Sequence, residues 1–335
     1  MNILEHVPLA EHTTFKIGGP ARYFCVVTTE DELVEALMFA RQRAQPFFIL
    51  GGGSNLLVSD AGFAGLVVKI ELKGVQYDVD RVRAAAGEMW DDFVEDTLVH
   101  ELVGLENLSA IPGTVGAVPV QNIGAYGAEA SQVIESVRAL DTVAMRFVNL
   151  TRRQCRFEYR DSVFKREKGR YVVTEVTFKL KKHGKVNIEY RDVAEYFRAR
   201  GTTAPTPLEV RQAVIEIRWG KLPDWKLWGT AGSFFKNPIV SLQKFIDLKQ
   251  KYPDLPGFPE ADGQIKVSLG WILDKVCNVR GVCVGNVCTY EKQALVIVAQ
   301  PGATAAEVVS LTKKLMDDVK EKTGIEIEAE VEWVN

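Results

Sequence analysis

The order of hydrophobic and polar positions in the first third of the chain predicts alternating strands and helices. Short apolar runs predict strands at residues 21–27, 47–50 and 66–70. Between the first two runs, apolar positions recur with a helical period over residues 29–45, and Thr29 followed by Glu32 has the spacing of a capping box. This order predicts an α/β or α+β unit at the N-terminus.

Strand patterns predominate after residue 75. Strands are predicted at residues 82–86, 137–140 and 172–180, and helices at 90–100, 190–199, 208–218 and 304–323. Residues 325–334 then alternate strictly between apolar and polar positions, which predicts a closing strand. One face of that strand carries Glu326, Glu328, Glu330 and Glu332.

Length and composition predict a soluble protein of two or three domains. At 335 residues the chain exceeds one ordinary core, and 47% hydrophobic with 25% charged residues is typical of globular proteins. A net charge of −3 gives no field that would attract nucleic acid or an anionic membrane. No apolar run approaches the ~18 residues of a membrane span, and residues 1–11 do not have the pattern of a secretory signal. We therefore expect a cytoplasmic protein without nucleic-acid or membrane partners.

The cysteines and histidines indicate neither a covalent framework nor a metal site. The five cysteines are odd in number and include no C-x-x-C pair, so we expect no disulfide and no catalytic cysteine. Cys25 lies in an apolar strand pattern, as buried structural thiols do. The four histidines lack ligand spacing, so no metal is expected.

A first glycine-rich segment follows the strand predicted at residues 47–50. It reads Gly51, Gly52, Gly53, Ser54 and Asn55. Consecutive backbone N–H groups in such a turn can form an anion nest, to which the last two side chains add donors. The segment is neither a Rossmann fingerprint nor a P-loop, because no helix and no Gly-Lys-Ser/Thr follows. A nucleotide-binding loop and an ordinary tight turn both remain open from this segment alone.

A second region, residues 109–127, is rich in glycine, alanine and amides around a short apolar piece. It has little with which to fill a core, and it is typical of a surface around a large, extended ligand such as a dinucleotide. An ordinary long loop is the alternative, but such loops are uncommon in compact domains without a function.

Residues 229–238 read Gly-Thr-Ala-Gly-Ser-Phe-Phe-Lys-Asn-Pro. Small residues allow a ligand to approach the backbone, and the Ser233 hydroxyl can donate or accept a proton. Lys236 and Asn237 supply donors for an anionic or sugar-like group. The alternative is that Ser233 caps a helix beginning at Phe234.

Four segments in this order resemble one enzyme family. Residues 12–19 read His-Thr-Thr-Phe-Lys-Ile-Gly-Gly, and residues 159–165 read Tyr-Arg-Asp-Ser-Val-Phe-Lys. Together with the glycine-rich regions and the Ser233 segment, they resemble the UDP-N-acetylenolpyruvoylglucosamine reductase (UDP-N-acetylmuramate dehydrogenase) family from His12 to Glu330. Tyr190, with an unshortened Phe-Phe-Lys-Asn-Pro, is similar to the family branch that closes a tyrosine loop over substrate.

The resemblance implies an α+β fold with a two-subdomain FAD-binding module of the vanillyl-alcohol-oxidase type and a third α+β substrate-binding domain. We expect the first subdomain at residues 1–72 and the second, with the tyrosine-loop insert, at 73–220. The substrate-binding domain would occupy residues 221–324. The last strand, at about 325–335, could return to the first subdomain.

The resemblance also implies the reaction and its cofactors. Family members hold FAD noncovalently, use NADPH, and reduce UDP-N-acetylglucosamine enolpyruvate to UDP-N-acetylmuramate for peptidoglycan synthesis. We expect a monomer. By motif, FAD would be held by residues 51–55 named above and by Ser109, Pro112, Gly113, Gly116, Gln121, Asn122, Gly124, Ala125 and Tyr126. The UDP-sugar would be held by Tyr190, Lys221, Asn237 and Gln293.

The implied catalytic residues are Arg160, Ser233 and Glu330. Flavin N5 would pass hydride to the enolpyruvyl β-carbon, with Arg160 and Glu330 stabilising charge and Ser233 delivering the proton. A cation such as Lys236, or a water, would assist the serine. Arg160 could instead be a surface arginine.

Among the four glutamates, Glu330 is selected by the resemblance alone. Spacing cannot separate it from its neighbours on a solvated strand face. Ala329 stands where family members often have proline, and Glu332-Trp333 replaces an Arg-Phe pair.

Two other functions fit parts of the sequence. A flavin-dependent oxidase of this fold commonly tethers its flavin through His or Cys, and neither glycine-rich region contains histidine. A catalytically silent flavin or nucleotide-sugar binder would not need the combination of Arg160, Ser233 and Lys221.

Overall fold

The computed structural model describes residues 1–260 and 262–335, which combine helices with small, mainly antiparallel sheets. The strands are β1 (Leu4–Pro8), β2 (Pro20–Val27), β3 (Phe47–Leu50), β4 (Leu56–Val58), β5 (Phe63–Ile70), β6 (Val75–Asp78), β7 (Arg81–Ala85), β8 (Gly124–Ala125), β9 (Ala128–Glu129), β10 (Ile134–Asp141), β11 (Arg146–Thr151), β12 (Tyr171–Lys179), β13 (Gly229–Ser233), β14 (Ile239–Ser241), β15 (Gly257–Pro259), β16 (Gln264–Val267), β17 (Cys283–Val284), β18 (Val287–Thr289), β19 (Val296–Ala299) and β20 (Glu332–Val334). The helices are α1 (Glu30–Gln42), α2 (Trp90–Val99), α3 (Arg152–Cys155), α4 (Val163–Arg166), α5 (Arg191–Arg200), α6 (Pro207–Lys221), α7 (Leu242–Lys251), α8 (Leu269–Trp271) and α9 (Ala305–Thr323). The α+β class is confirmed.

The chain forms two compact units, each assembled from separate stretches of sequence. Unit 1 comprises Met1–Val7, Ala21–Gly53 and Ala64–Gly220. Unit 2 comprises Pro8–Pro20, Ser54–Phe63 and Lys221–Asn335. No helix of the described residues has both the length and the apolar character that a membrane crossing requires.

Unit 1 has one continuous core between two sheets and their helices. One sheet has the strand order β1-β2-β5-β3, and the antiparallel second sheet has the order β11-β10-β12-β7-β6. Helix α1 begins at Thr29, whose hydroxyl accepts the Glu32 N–H at 3.1 Å, while the Glu32 carboxylate accepts from Thr28. In α2 the apolar positions Trp90, Phe93 and Val94 are buried in this core. The predicted helices and strands of this unit are confirmed within a few residues at each end.

Helices α5 and α6 of unit 1 pack on a small core of their own. We call residues 181–220, which contain α5 and all of α6 except Lys221, the insert. Its core consists of Val193, Phe197, Val210, Ala213 and Val214. Because five side chains exclude little water, ion pairs and hydrogen bonds to the rest of unit 1 become important for its placement.

Unit 2 contains a four-stranded sheet of order β13-β19-β18-β17, a three-stranded sheet of order β14-β16-β15, and a parallel pair of β20 with β4. Its core includes Phe15, Phe235, Leu311 and Ile327. Helix α9 begins at Thr304 with the capping box to Glu307, and ends at Gly324 with a φ of 67°, which confirms the predicted helix.

The predicted strand over residues 325–334 is wrong for most of its length. Only Glu332–Val334 forms a strand, although Ile325, Ile327 and Val331 are buried in alternation as expected. Residues 328 and 330 instead make single backbone bonds, from Lys236 N–H to Glu328 and from Glu330 N–H to Phe234. Alternating burial therefore does not require a continuous ladder, since the alternation reports extended backbone alone.

The prediction that no disulfide forms is also wrong. Cys283 and Cys288 face each other across the β17–β18 hairpin and form a disulfide, with Cα atoms 4.0 Å apart. An antiparallel register brings together residues that have no recognisable cysteine spacing, so the count alone could not reveal the pair. Cys25, Cys155 and Cys277 are free and buried, and burial raises the pKa of Cys25 to about 11 and of Cys155 to about 12. Such thiols are poor nucleophiles.

Candidate active site

The two glycine-rich regions meet within unit 1 with no space between them for side chains. A Cβ atom on Gly52 would lie 2.6 Å from the Cα of Gly113, and one on Gly51 would lie 2.7 Å from Oγ1 of Thr114. Gly53 has a φ of 64° and Gly113 a φ of 129°, which favour glycine. Glycine is therefore required here for close backbone approach, as in a cradle for a flat or phosphate-bearing ligand.

The loop at 109–127 is held by side chains that turn inward. The Ser109 hydroxyl donates to Glu106 O at 2.7 Å. Asn122 is 1% exposed: its Oδ1 accepts from the Ser131 N–H, and its Nδ2 donates to Glu129 and to the carbonyl of Glu158. These two predicted cofactor residues thus shape the loop with their side chains, and only their backbone groups remain for a ligand.

The other predicted cofactor residues of this loop lie nearer its surface. Pro112, Gly116, Gln121, Gly124, Ala125 and Tyr126 are partly exposed. A Cβ on Gly116 would lie 2.6 Å from the Cβ of Ala86, so this glycine also permits close packing.

Arg160 is tied to the glycine-rich loop. Its Nη2 donates to the carbonyl of Gly124 at 2.7 Å, and its backbone adopts a φ of 54°. Lys165 Nζ donates to the Arg160 carbonyl at 3.2 Å, and the guanidinium lies 5.3 Å from the ring centroid of Tyr159. The residue is half-buried, so it is a held cation beside the loop and not a mobile surface arginine.

Tyr190 stands at the start of α5, beside Tyr126 of the glycine-rich loop. The two ring centroids are 5.4 Å apart with an interplanar angle of 82°, an edge-to-face contact. Burial raises the pKa of Tyr126 to about 12, and a hydrogen bond from Arg218 opposes that shift. Tyr190 itself remains 42% exposed, so its ring is available to a ligand.

In unit 2 the segments that carry Ser233, Glu330 and Asn55 are joined by hydrogen bonds. Ser233 ends β13, and the next residue, Phe234, accepts the Glu330 N–H at 2.8 Å. Asn55 Nδ2 donates to the Glu330 carbonyl at 3.1 Å, and its own carbonyl accepts the Glu332 N–H at 2.9 Å. No helix follows Ser233 among the described residues up to 241, so the helix-cap interpretation is wrong.

Burial distinguishes Glu330 from two of the neighbouring glutamates. The side chains of Glu326 and Glu328 are 77% and 79% exposed and pair with Lys320 and Lys236. Glu330 is half-buried beside the Ser233 segment, and Glu332 is half-buried in β20. Lys236 therefore contacts Glu328 and not the serine, contrary to the expectation that it would assist Ser233.

Two predicted substrate residues of unit 2 converge on one short segment. The Asn237 Oδ1 accepts the Leu269 N–H at 3.0 Å, and a Cβ on Gly270 would lie 3.0 Å from the Oε1 of Gln293. The Gln293 Oε1 accepts the Leu295 N–H at 3.4 Å, so both amides are oriented by bonds made through their oxygens. Lys221 lies at the exposed end of α6.

Comparison with known proteins gives different matches for the N-terminal and C-terminal parts of the chain. Residues 21–144 match a family model described as an FAD binding domain, and residues 224–334 match that of the UDP-N-acetylenolpyruvoylglucosamine reductase C-terminal domain. A reductase of that name from Paraburkholderia xenovorans is 43% identical over 331 residues, covering 96% of this chain and 95% of the relative. The chain belongs to the UDP-N-acetylenolpyruvoylglucosamine reductase family.

Other members of the family support the assignment over the full length. The reductase of Pseudomonas aeruginosa is 41% identical over 335 residues, covering 98% of each chain. The crystal structure of the Thermus caldophilus reductase superposes with a TM-score of 0.71 at 25% identity, covering 100% of this chain and 98% of that one. The predicted family, its flavin-dependent oxidoreductase activity and its FAD-binding module are confirmed.

No metal centre accompanies the site. Within residues 1–260 and 262–335, no three His, Cys, Asp or Glu side chains are grouped so as to hold a metal ion.

Proposed function

We propose that the protein reduces UDP-N-acetylglucosamine enolpyruvate to UDP-N-acetylmuramate, a step of peptidoglycan synthesis, with FAD and NADPH. The Ser233 segment carries the proposal, since a backbone bond from Glu330 to Phe234 holds a hydroxyl proton donor and a half-buried glutamate on neighbouring segments that are far apart in sequence. The family match over nearly the whole chain supports the choice of substrate.

The residues present suit a dinucleotide. At Gly52 and Gly113 the two loops approach too closely for a side chain, and the consecutive backbone N–H groups of such glycine turns can bind a phosphate-bearing ligand. When bound, FAD supplies two-electron chemistry, accepting hydride from NADPH and passing it to the enolpyruvyl β-carbon. No histidine lies in either glycine-rich region, which supports noncovalent binding.

Arg160 would stabilise the charge that develops on the substrate. Hydride addition at the β-carbon places negative charge on the α-carbon and the attached carboxylate, as an enediolate. A guanidinium stays protonated and presents fixed, planar donors, so it suits that charge. The bond from Nη2 of Arg160 to the Gly124 carbonyl fixes the orientation of the guanidinium plane, and with it the directions of the other N–H groups.

Ser233 would complete the reaction by giving its hydroxyl proton to the α-carbon. The carbon–carbon double bond then becomes a single bond, with one hydride and one proton added, and the serine is reprotonated from solvent. Lys236 pairs with Glu328, so we assign the tuning of this proton to Glu330, whose backbone bonds to the residue after Ser233. Tyr190, Lys221, Asn237 and Gln293 would hold the UDP-sugar.

Anaerobic stopped-flow absorbance with Ser233→Ala tests the proposal. NADPH alone should reduce the flavin at the wild-type rate, because the serine acts after that step. Reoxidation by the enolpyruvyl substrate should slow by ~10²–10⁴-fold, the range for positioned proton transfer. Ser241→Ala is the matched control: it removes a serine whose hydroxyl accepts the Lys244 N–H at the start of α7.

The outcomes separate the alternatives. Reoxidation of Ser233→Ala at the wild-type rate would remove the serine from the mechanism, and Glu330 would be the next acid to test. Flavin that stays with the acid-precipitated wild-type protein would indicate a tethered oxidase. Wild-type flavin that NADPH does not reduce would indicate a silent binder. We also expect a cytoplasmic monomer, which sedimentation of the purified protein would check for its association state.

A further inference from the structure

One carboxylate of unit 1 is shared by the glycine-rich loop and the insert. Asp91 lies in the first turn of α2, where the helix dipole favours a negative charge. Its Oδ1 accepts the Ala110 N–H at 2.6 Å, and the same oxygen accepts from Nη1 of Arg211 at 2.6 Å. A single side chain thus bonds both to the loop expected to bind flavin and to α6 of the insert.

The loop side of this connection is firmly held. Ala110 has a φ of 58°, which an alanine adopts only when its surroundings fix it. The Trp90 indole N–H donates to Leu108 O at 2.9 Å, and the Trp90 backbone N–H donates to Gly113 O at 3.0 Å. Asp91 therefore projects from a rigid base formed by α2 and the loop.

On the insert, the partner of Asp91 is the buried guanidinium of Arg211. Arg211 is 8% exposed, and its Nη2 also donates to Asp91 Oδ2 at 3.1 Å and to Glu95 at 3.2 Å. A buried charge is costly unless it is paired, and the two-pronged bond to Asp91 fixes direction as well as distance. Asn187 also anchors the insert, since its backbone oxygen accepts from Asn107 and its amide donates to the Gly127 carbonyl.

The same helix continues to Tyr190. Two turns after Arg211, α6 carries Arg218, which is hydrogen-bonded to Tyr126. Tyr126 in turn contacts the Tyr190 ring edge-to-face at 5.4 Å. A shift of α6 would therefore move the partner against which Tyr190 rests, although Arg211 itself does not contact Tyr190.

We propose that Arg211 is a positioning residue for substrate binding: its ion pair with Asp91 fixes the insert so that Tyr190 is presented to the UDP-sugar. The inference rests on the proposed role of Tyr190 in holding that substrate. It assigns Arg211 no contact with substrate, cofactor or reacting atoms.

The test compares Arg211→Met with Arg200→Met. Methionine keeps much of the stem and removes the charge. Arg200 pairs with Glu216 at 3.5 Å and covers the Tyr196 ring, so its partners all lie inside the insert. Titration of each FAD-loaded variant with UDP-N-acetylglucosamine enolpyruvate, followed by flavin absorbance, gives the Kd. We expect Arg211→Met to raise the Kd ~10-fold, a usual size for coupling between sites, and Arg200→Met to leave it unchanged.

Two readouts separate positioning from general destabilisation. FAD content and the rate of flavin reduction by NADPH should stay at wild-type values in Arg211→Met, while Arg211→Lys should recover part of the lost affinity. In a Tyr190→Phe background, Arg211→Met should add less than ~2-fold, because two changes that act through the same substrate contact are not additive.

Each failure has a distinct signature. If Tyr190→Phe alone binds the substrate normally, the proposed role of Tyr190 is wrong. If Tyr190→Phe weakens binding but Arg211→Met does not, the positioning role is wrong and the role of Tyr190 stands. Fully multiplicative losses in the double variant, or loss of FAD in Arg211→Met, would also overturn the inference.

Discussion

The glycine-rich loops of unit 1 and the Ser233 segment of unit 2 are constructed in opposite ways. In unit 1, Gly52 and Gly113 approach so closely that the candidate site consists of backbone. The side chain of Asn122, a predicted cofactor residue, hydrogen-bonds within the loop and stabilises its shape. In unit 2 the candidate groups are side chains: Ser233 lies in β13, which pairs with β19, and Glu330 is joined to the next residue, Phe234, by a backbone bond.

This difference matches what each unit is expected to do. A cradle of backbone N–H groups can bind any phosphate-bearing ligand, and its demand on sequence is chiefly for glycine. Proton transfer instead depends on one hydroxyl at one position, so its demand is for a residue type and a fixed geometry. The expected phosphate binding in unit 1 therefore depends on the local sequence. The expected proton transfer in unit 2 depends on which distant segments pack together.

The largest effect should come from filling the unit 1 cradle. Gly52→Val places a branched side chain where even a Cβ would lie 2.6 Å from the Gly113 backbone. Overpacking of this kind costs up to ~3 kcal/mol. We expect the two loops to move apart to relieve it, and the same free energy lost from FAD binding would weaken the affinity ~100-fold. Flavin absorbance per protein after gel filtration measures this.

Gly220→Val is the matched control, since a Cβ at Gly220 meets nothing within 4 Å. Equal flavin retention in Gly52→Val and Gly220→Val would show that the close approach of the two loops is unrelated to flavin binding.

An intermediate effect should come from the charge beside Ser233 in unit 2. Glu330→Gln keeps the shape of the side chain and removes its charge, and we expect substrate-driven flavin reoxidation to slow ~10- to 100-fold, below the full loss of a positioned acid. Glu328→Gln, exposed and paired with Lys236, should change it less than ~2-fold, as surface charges do. Rapid-mixing absorbance measures both. Equal rates in the two variants would show that Glu330 has no role in the reaction and is one of the glutamates on a solvated strand face.

The smallest effect on turnover should come from the disulfide of unit 2. Cys283→Ser together with Cys288→Ser removes a cross-link over a sequence separation of 5. Chain entropy for so short a loop is ~2 kcal/mol, so the melting temperature should fall by several degrees while turnover is unchanged. Calorimetry of the double variant, beside wild-type protein with and without reductant, measures this. A loss of turnover would extend the active site to the β17–β18 hairpin.

Features that depend on local sequence were predicted correctly more often than features that depend on contacts between distant segments. Helix α9 was predictable because Thr304, Glu307 and Gly324 are local signals at its two ends. The flavin-binding role of the glycine-rich loops stays a prediction, and the structure adds the reason for glycine at Gly52, where a Cβ would lie 2.6 Å from Gly113. The Ser233 segment was recognisable, but the alternative of a helix cap could be rejected only once Phe234 was seen to bond to Glu330. Arg211 carried no signal, since its neighbours in α6 are typical of any amphipathic helix.

By itself, the sequence determined the α+β class, the family and most helices and strands, because these depend on periodicity, capping and recognisable motifs. Only the tertiary structure decided that Glu330 bonds to the residue after Ser233, that Cys283 and Cys288 are bonded, and that Asp91 is shared by Ala110 and Arg211. Each of these is a pairing between segments. The physical reason is that a hydrogen bond or ion pair across the fold is selected by the packing of whole elements, and the local sequence around either partner does not encode it.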